Sequence, residues 1–346
     1  MARLTRSETL SHCPEFIFPL SLRVYYIFLF GVPLLIAITD KEMEGTPCCC
    51  SSTSCSVLPG TPVREPEFSY GYALVRGPSI SETLRECPCS CCQFFLGGSS
   101  VTMKDRYSSI IPPDEREAIL RVCQEKDRTF YVHCPLNINF ANPSARAALP
   151  ILRNHLTQLR DLPCACVLHV GTKGKKGDRG TLETVSSRLN QLDREGFLSC
   201  SSFRRVPYPL LLEVAAGQAG ELGKNVEELR WLYEGLDRSK IGFCLDTQHV
   251  FASGMLSFEN PEGIVNLYEE LLSITPHGVS LVHLNDSLTA YNSRSDRHAA
   301  LGTGQIWGSS TDSLTRLLEL CTSEGIDLVT ETDDAPSDIA LLYTFQ

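Results

Sequence analysis

The chain changes pattern at about residue 70. Beyond it, short continuous apolar runs alternate with longer stretches whose apolar residues recur at i, i+3 and i+4. The short runs are Tyr70–Val75, Gln93–Leu96, Thr129–His133, Cys166–His169, Leu210–Glu213, Ile241–Asp246, Val279–His283 and Asp327–Glu331. Brief unbroken apolar runs predict strands buried on both faces, as in a parallel sheet. The periodic stretches are Asp114–Lys126, Arg146–Leu159, Thr181–Leu192, Asn225–Leu236, Glu262–Leu272 and Leu314–Glu324, and they predict amphipathic helices. The first opens with acids after Pro112-Pro113, which suits a helix N-terminus; Pro150 unsettles the start of the second. Alternation of this kind over residues 66–346 predicts an α/β fold, a (β/α)8 TIM barrel.

Residues 1–65 do not share the alternation and are read as a non-barrel N-terminal extension. Val24–Thr39 carries no charge; Arg3, Arg6 and Arg23 precede it, and Asp40, Glu42 and Glu44 follow. That order is the order of a signal peptide or membrane anchor. The run falls short of the roughly 20 residues that span a bilayer, and Pro33 interrupts it. Three readings stay open: membrane contact or targeting through residues 16–39, a segment packed on the domain, or sequence upstream of the true start codon. Residues 45–65, rich in Ser, Thr, Gly, Pro and Cys, read as a linker.

Composition changes this picture in two places. Half of the 16 cysteines lie between Cys48 and Cys92, and the rest are scattered. Disulfide-stapled secreted domains are small, and Cys87-Pro88-Cys89-Ser90-Cys91-Cys92 lacks a second pair at zinc-finger distance. The expectation is reduced thiols in an intracellular protein of nucleus or cytoplasm. The 41 acidic residues outweigh 31 basic ones, for a formal net charge of -10. That excludes a protein coating nucleic acid through a basic surface. It counts every carboxylate as bare, however, and misleads if several of them bind cations.

The strand ends point that way. In a TIM barrel the chemistry sits at the C-terminal ends of the strands. Here those ends read His133, His169, Glu213, Asp246 (with His249 three residues on), His283 and Glu331, and the loop after the seventh strand adds Asp296 and His298. Taken singly, each has an ordinary explanation, such as a core histidine or, for Asp246, a helix cap. Six consecutive strands ending this way are foreign to a core of apolar layers, because unpartnered buried charge is costly. Imidazole with carboxylate and no thiolate suits Zn²⁺, Mn²⁺ or Fe²⁺. Nine ligands serve about three ions. Clustered ions of this kind activate water and neutralise phosphate in phosphodiester cleavage.

Through these residues the chain resembles the endonuclease IV family, zinc-dependent apurinic/apyrimidinic endonucleases of the xylose-isomerase-like TIM barrels. The segments that carry the resemblance are Leu212-Glu213-Val214-Ala215-Ala216-Gly217, Asp246-Thr247-Gln248-His249, Val282-His283-Leu284-Asn285-Asp286-Ser287, Ser293 to Ile306 and Thr330-Glu331-Thr332. The resemblance implies that His133 and His169 hold one zinc ion and that Glu213 bridges to a second, completed by Asp246, His283 and Glu331. It implies a third held by His249, Asp296 and His298. Manganese is an alternative metal. Glu213, Asp246 and Glu331 are then catalytic carboxylates as well as ligands. The implied reaction is base-excision repair incision of duplex DNA 5′ to an abasic site, leaving a 3′-hydroxyl and a 5′-deoxyribose phosphate, by a monomer. Three divalent ions would bring the charge from -10 to about -4 and focus positive field in the groove.

The chain departs from the family at Val214 (usually Asn), Gln248 (Cys), Thr303 (Glu) and Trp307, an insertion. Leu96–Met103 replaces a basic lesion-reading loop, and Leu136 replaces an aromatic. Lesion and phosphate contacts therefore fall to other residues: Lys173, Lys175 and Lys176 after the fourth strand, Arg204 and Arg205 before the fifth, and Arg294 and Arg297 after the seventh. The alternatives are a metal-dependent sugar isomerase or epimerase on the same barrel, or a catalytically weak DNA-binding homologue.

Overall fold

The structure is a computed structural model. It describes residues 69–100, 108–142, 144–173, 177–199, 203, 206–276, 278–308 and 311–345, and the strands at 22–29 and 32–39. The chain divides into two compact units, Met1–Val63 and Arg64–Gln346. In the first, Leu22–Leu29 and Val32–Thr39 pair as an antiparallel two-stranded sheet. Residues 16–21, 30 and 31 and the linker at 45–65 lie outside the described residues. Among the described residues no helix is long and apolar enough to cross a membrane.

The second unit is a closed eight-stranded parallel barrel. Its strands are β1 (Tyr70–Ala73), β2 (Cys91–Phe95), β3 (Thr129–His133), β4 (Cys164–His169), β5 (Leu210–Glu213), β6 (Ile241–Asp246), β7 (Val279–His283) and β8 (Asp327–Thr330). β8 pairs with both β1 and β7 and closes the ring. The strands are buried nearly throughout, which is why they read as unbroken apolar runs. Several boundaries differ from expectation, among them β4, which begins at Cys164 rather than Cys166, and β8, which ends at Thr330 rather than Glu331. β1 stops at Ala73, and Val75 beyond it is exposed; β2 begins earlier, at Cys91, because cysteine is buried there as a small hydrophobe.

Around the barrel run α1 (Ile80–Glu86), α2 (Pro113–Lys126), α3 (Ala148–Leu159), α4 (Gly177–Arg194), α5 (Val226–Tyr233), α6 (Thr247–Ser253), α7 (Glu262–Leu272), α8 (Thr311–Glu324) and α9 (Ala335–Leu342). Of these, α1, α6 and α9 were not expected from periodicity. α6 is short and buried at every residue, so it has no polar face to mark it. α1 did carry a signal: Ser79 accepts a hydrogen bond from the Glu82 N–H at 3.1 Å, the first half of a capping box.

Strand register brings the site together. His169 stands opposite Glu213 across β4 and β5, and Asp246 stands opposite His283 across β6 and β7. Being last residues of neighbouring parallel strands, they reach the same level of the barrel.

Candidate metal centre

All nine residues expected at the site converge. Three sets of side chains are close enough to share an ion: His133, His169 and Glu213; Glu213, Asp246, His283 and Glu331; and Asp246, His249 and His298. Asp296 joins the last set, 3.4 Å from His249 Nε2 and 3.3 Å from His298 Nε2. Glu213 is the hinge of the arrangement. Its Oε2 lies 2.9 Å from His133 Nε2 and 3.3 Å from His169 Nε2, and its Oε1 lies 3.2 Å from His283 Nδ1. Asp246 is shared as well, with Oδ2 3.9 Å from His283 Nδ1 and 3.5 Å from His298 Nε2.

The cap reading and the ligand reading of Asp246 are compatible. Its Oδ1 accepts from the His249 N–H at 2.9 Å and caps α6, leaving Oδ2 for the site. The cap also turns α6 so that His249, three residues on, faces inward. The ring Nδ1–H groups of two histidines are taken by carbonyls: His249 donates to Val214 O at 2.9 Å and His133 to Cys134 O at 2.6 Å. This leaves each Nε2 lone pair aimed at the centre, as a ligand requires. At Val214 the backbone, not the departing side chain, meets the site. Its carbonyl does the holding, and its side chain is buried in the core.

Two residues that sequence reasoning did not single out tie the carboxylates down. Gln93 on β2 accepts from His283 Nε2–H at 2.8 Å and donates to Glu331 Oε1 at 2.6 Å. Asn285 donates to Asp246 Oδ2 at 2.8 Å and Glu331 Oε2 at 3.2 Å, and accepts from the Glu331 N–H at 2.9 Å. Asn285 stands in the Val282–Ser287 motif; nothing in the pattern marks Gln93, a lone amide on an apolar strand. Asp286 organises the loop carrying the late motif, accepting from the N–H groups of Gly302 (3.1 Å), Gly304 (2.9 Å) and Ile306 (2.8 Å). Gly304 is required there, because a Cβ would come within 2.6 Å of an Asp286 carboxylate oxygen. Trp307 is a buried prop, donating from Nε1 to Asn285 O at 3.1 Å and meeting Phe258 edge to face. Gln248 is buried and donates to Ser295 O at 3.0 Å, bracing the segment that bears Asp296 and His298.

The electrostatics are those of a cation site. Burial alone would push Glu213 up; the imidazoles of His169 and His283 outweigh it and hold the carboxyl well below the usual carboxylate range. Burial also opposes charge on Glu331, but the adjoining His283 brings it down to about 2. His298 is pulled down by burial and more than restored by the charge of Asp246 and its contact with Asp296, to about 9. At His169 burial prevails over Glu213 and lowers the imidazole to about 4. Nε2 of both His249 and His298 is buried and makes no hydrogen bond. Such orphaned nitrogens, facing carboxylates too crowded to satisfy one another, fit divalent ions bound by imidazole and carboxylate.

Beside His169 and Asp296 opens a cavity of about 320 Å³, walled by Asn139, Gln218, Glu221 and the exposed Leu136 among others. Of the expected cationic contacts, Lys173, Arg294 and Arg297 are exposed on neighbouring loops. Arg294 adopts a left-handed backbone, with φ +57°. Lys175, Lys176, Arg204, Arg205 and residues 101–103 of the altered loop lie outside the described residues.

Residues 96–311 match the model of a family described as xylose isomerase-like TIM barrel. The chain belongs to that family. Within it, the chain is 30% identical over 191 residues to a probable endonuclease 4 of Methanosphaera stadtmanae, a match covering 54% of this chain and 64% of the relative. A probable endonuclease 4 of Streptomyces avermitilis is 29% identical over 228 residues, covering 64% of this chain and 70% of the relative. The chain thus spans about two thirds of the relatives it matches. Among solved structures, endonuclease IV from Thermus thermophilus aligns with a TM-score of 0.63 at 25% identity, over 80% of this chain and 97% of that one. A D-tagatose 3-epimerase-like protein aligns over the same shares with a TM-score of 0.56 at 17% identity, a likeness of fold.

Proposed function

We propose that this chain is a zinc-dependent endonuclease of DNA repair that hydrolyses the phosphodiester 5′ to abasic sites in duplex DNA, leaving a 3′-hydroxyl and a 5′-deoxyribose phosphate. The observation that carries the reading is the third set, His249, Asp296 and His298, joined to the other two through the shared Asp246. Nine ligands in three contiguous sets suit three ions, more than a sugar isomerase or epimerase employs. The names of the relatives agree with this reading.

Bound in this centre, zinc or manganese ions supply Lewis acidity, which lowers the pKa of water, neutralises the phosphate and stabilises the leaving oxygen. The chain's own residues hold that chemistry in place. Glu213 keeps the first two sets at a fixed separation. Gln93 and Asn285 prevent Asp246 and Glu331 from turning toward each other or toward solvent. Lys173, Arg294 and Arg297, with Lys175 and Lys176 in the same loop as Lys173, are the cations proposed to meet DNA phosphates around the cavity.

The test is incision of a duplex carrying one tetrahydrofuran abasic analogue by the zinc-loaded protein, with zinc counted by elemental analysis. About three zinc per chain and a single cut 5′ to the analogue are expected, with the cut lost in Glu213→Ala and His249→Ala. An uncut duplex with wild-type protein carrying its full zinc would overturn the nuclease reading. Two ions or none would overturn the trinuclear one.

A further inference from the structure

The loops around the cavity are tied to one another. The Leu136 N–H donates to Ser99 O at 2.9 Å, which joins the loop after β3 to the loop after β2. Asn139 Nδ2 donates to Thr172 Oγ1 at 2.7 Å, and the Lys173 N–H donates to Gly220 O at 2.9 Å. These links carry the belt on through the loops after β4 and β5. The Asp296 N–H then donates to Gln218 Oε1 at 3.3 Å, which brings the belt to a ligand of the centre. Three of the four links use at least one backbone group, so the shape of the belt depends on where the loops themselves are held.

The first loop of the belt is held by a residue that takes no part in the chemistry. Arg76, between β1 and α1, is only 5% exposed. Its Nε donates to Leu96 O at 2.8 Å, and its Nη2 donates to Ser108 O at 2.7 Å. Those two carbonyls stand at the two ends of the loop between β2 and α2. Nη1 donates to Gly77 O at 3.2 Å and to Pro78 O at 3.4 Å, within the loop that carries Arg76 itself. A guanidinium stays charged at any pH at which the fold survives, so enclosing one is costly unless its donors are taken up. Here carbonyls take up donors on all three nitrogens, and the rigid fork fixes both ends of the loop against β1.

We propose that Arg76 is a positioning residue: it clamps the two ends of the loop after β2 and, through the Ser99–Leu136 hydrogen bond, sets Leu136 at the mouth of the cavity. Leu136 is 56% exposed and shares that wall with His169 and Asp296. It is the apolar edge that the sugar or base of a bound nucleotide would cover. This use of Leu136 rests on the nuclease function proposed above; the clamp stands without it. The working feature of Arg76 is its fork rather than its charge. A lysine ammonium is a single nitrogen and cannot occupy the separate positions of Nε and Nη2.

The test is made on the full-length, zinc-loaded protein with the tetrahydrofuran duplex. Arg76→Lys should raise KM about tenfold, with kcat within about twofold of the wild type and zinc content unchanged. Leu136→Ala should raise KM by a similar factor, and the double variant should be no worse than the worse single one, because both changes act at one link. Arg116→Lys serves as the control. That guanidinium also donates to two carbonyls, Gln158 O at 2.6 Å and Arg160 O at 2.5 Å, but to none in the loops of the belt, and KM should not move. Amide exchange followed by mass supplies a readout free of activity: peptides covering Leu136 should exchange at least about tenfold faster in Arg76→Lys. A wild-type KM in Arg76→Lys, full additivity in the double variant, loss of zinc, or unchanged exchange at Leu136 would each refute the proposal. Should Arg76→Lys not fold, Leu136→Ala decides, since an exposed side chain is removed there; an unchanged KM refutes the proposal and a raised one supports it. Should the wild type leave the duplex uncut, the nuclease reading falls, and exchange at Leu136 alone decides whether Arg76 is the clamp.

Discussion

The two ends of one barrel interior both bury carboxylates, and they treat them in opposite ways. At the N-terminal end Asp327 is almost fully enclosed, and its Oδ2 accepts from the hydroxyls of Thr129 and Tyr131, the latter at 2.8 Å. Neutral donors from β3 satisfy it, and the surrounding layer is apolar: Ala165, Val167, Leu211, Leu281 and Val329. At the C-terminal end Glu213, Asp246 and Glu331 crowd together with Asp296, and their partners are imidazoles that are themselves ligand-ready. A buried acid is therefore no sign of a metal. The sign is several acids converging with too few neutral donors to satisfy them.

Substitution at the two ends should separate these roles most sharply. Glu213→Ala removes the group that joins two sets of ligands. Zinc content should fall, and incision should drop by about three orders of magnitude or more, on the order of 4 kcal/mol of transition-state stabilisation. Asp327→Asn keeps the shape but unbalances the donors. It should lower stability by about 1–3 kcal/mol in denaturant unfolding and leave zinc content unchanged. If Asp327→Asn lost zinc as Glu213→Ala does, the division between the two ends would fail.

A smaller effect is expected from the residue that braces the crowded end without belonging to it. Gln93→Leu leaves every ligand in place but frees His283 and Glu331 to rotate. Zinc affinity or incision should weaken by roughly 10–100-fold, the usual worth of an outer hydrogen-bond partner. Titration against a competing chelator measures it. An unchanged affinity would mean that packing alone fixes the histidine.

The same contrast explains what the sequence made legible. Glu213 or His283 could be read because each is the last residue of an apolar run, and barrel geometry carries all such ends to one face. Asp246 could be read twice, and the structure provides a separate oxygen for each reading. Gln93 could not be read. Its partners lie 190 and 238 residues away, and only closure of the barrel brings β2 within reach of β7 and β8. α6 was announced only by its cap at Asp246, since burial at every position erases the polar stripe that periodicity detects. At Val214 the group that reaches the site is the backbone carbonyl, which comparison of side chains does not show.

The smallest expected effect concerns protons. Crowded carboxylates hold a proton on His298, whose imidazole stands at about 9, whereas desolvation keeps His169 neutral at about 4. A histidine must be neutral to ligate, so zinc binding at pH 7.5 should expel a proton from His298 and none from His169. The sign follows directly: the proton displaced from His298 costs about tenfold in affinity per unit of pH lowered below 9, and that cost vanishes above it. Calorimetric titration of the chelated protein in two buffers of different ionisation enthalpy counts the protons released. His298→Asn should lower the count by about one, and His169→Asn should leave it unchanged although each removes a ligand. Asp327→Asn should not move it either, because the acid at the far end accepts from the hydroxyls of Thr129 and Tyr131 and is not among the ligand sets. Equal losses from the two histidine variants would show that the carboxylate crowd does not set their charge.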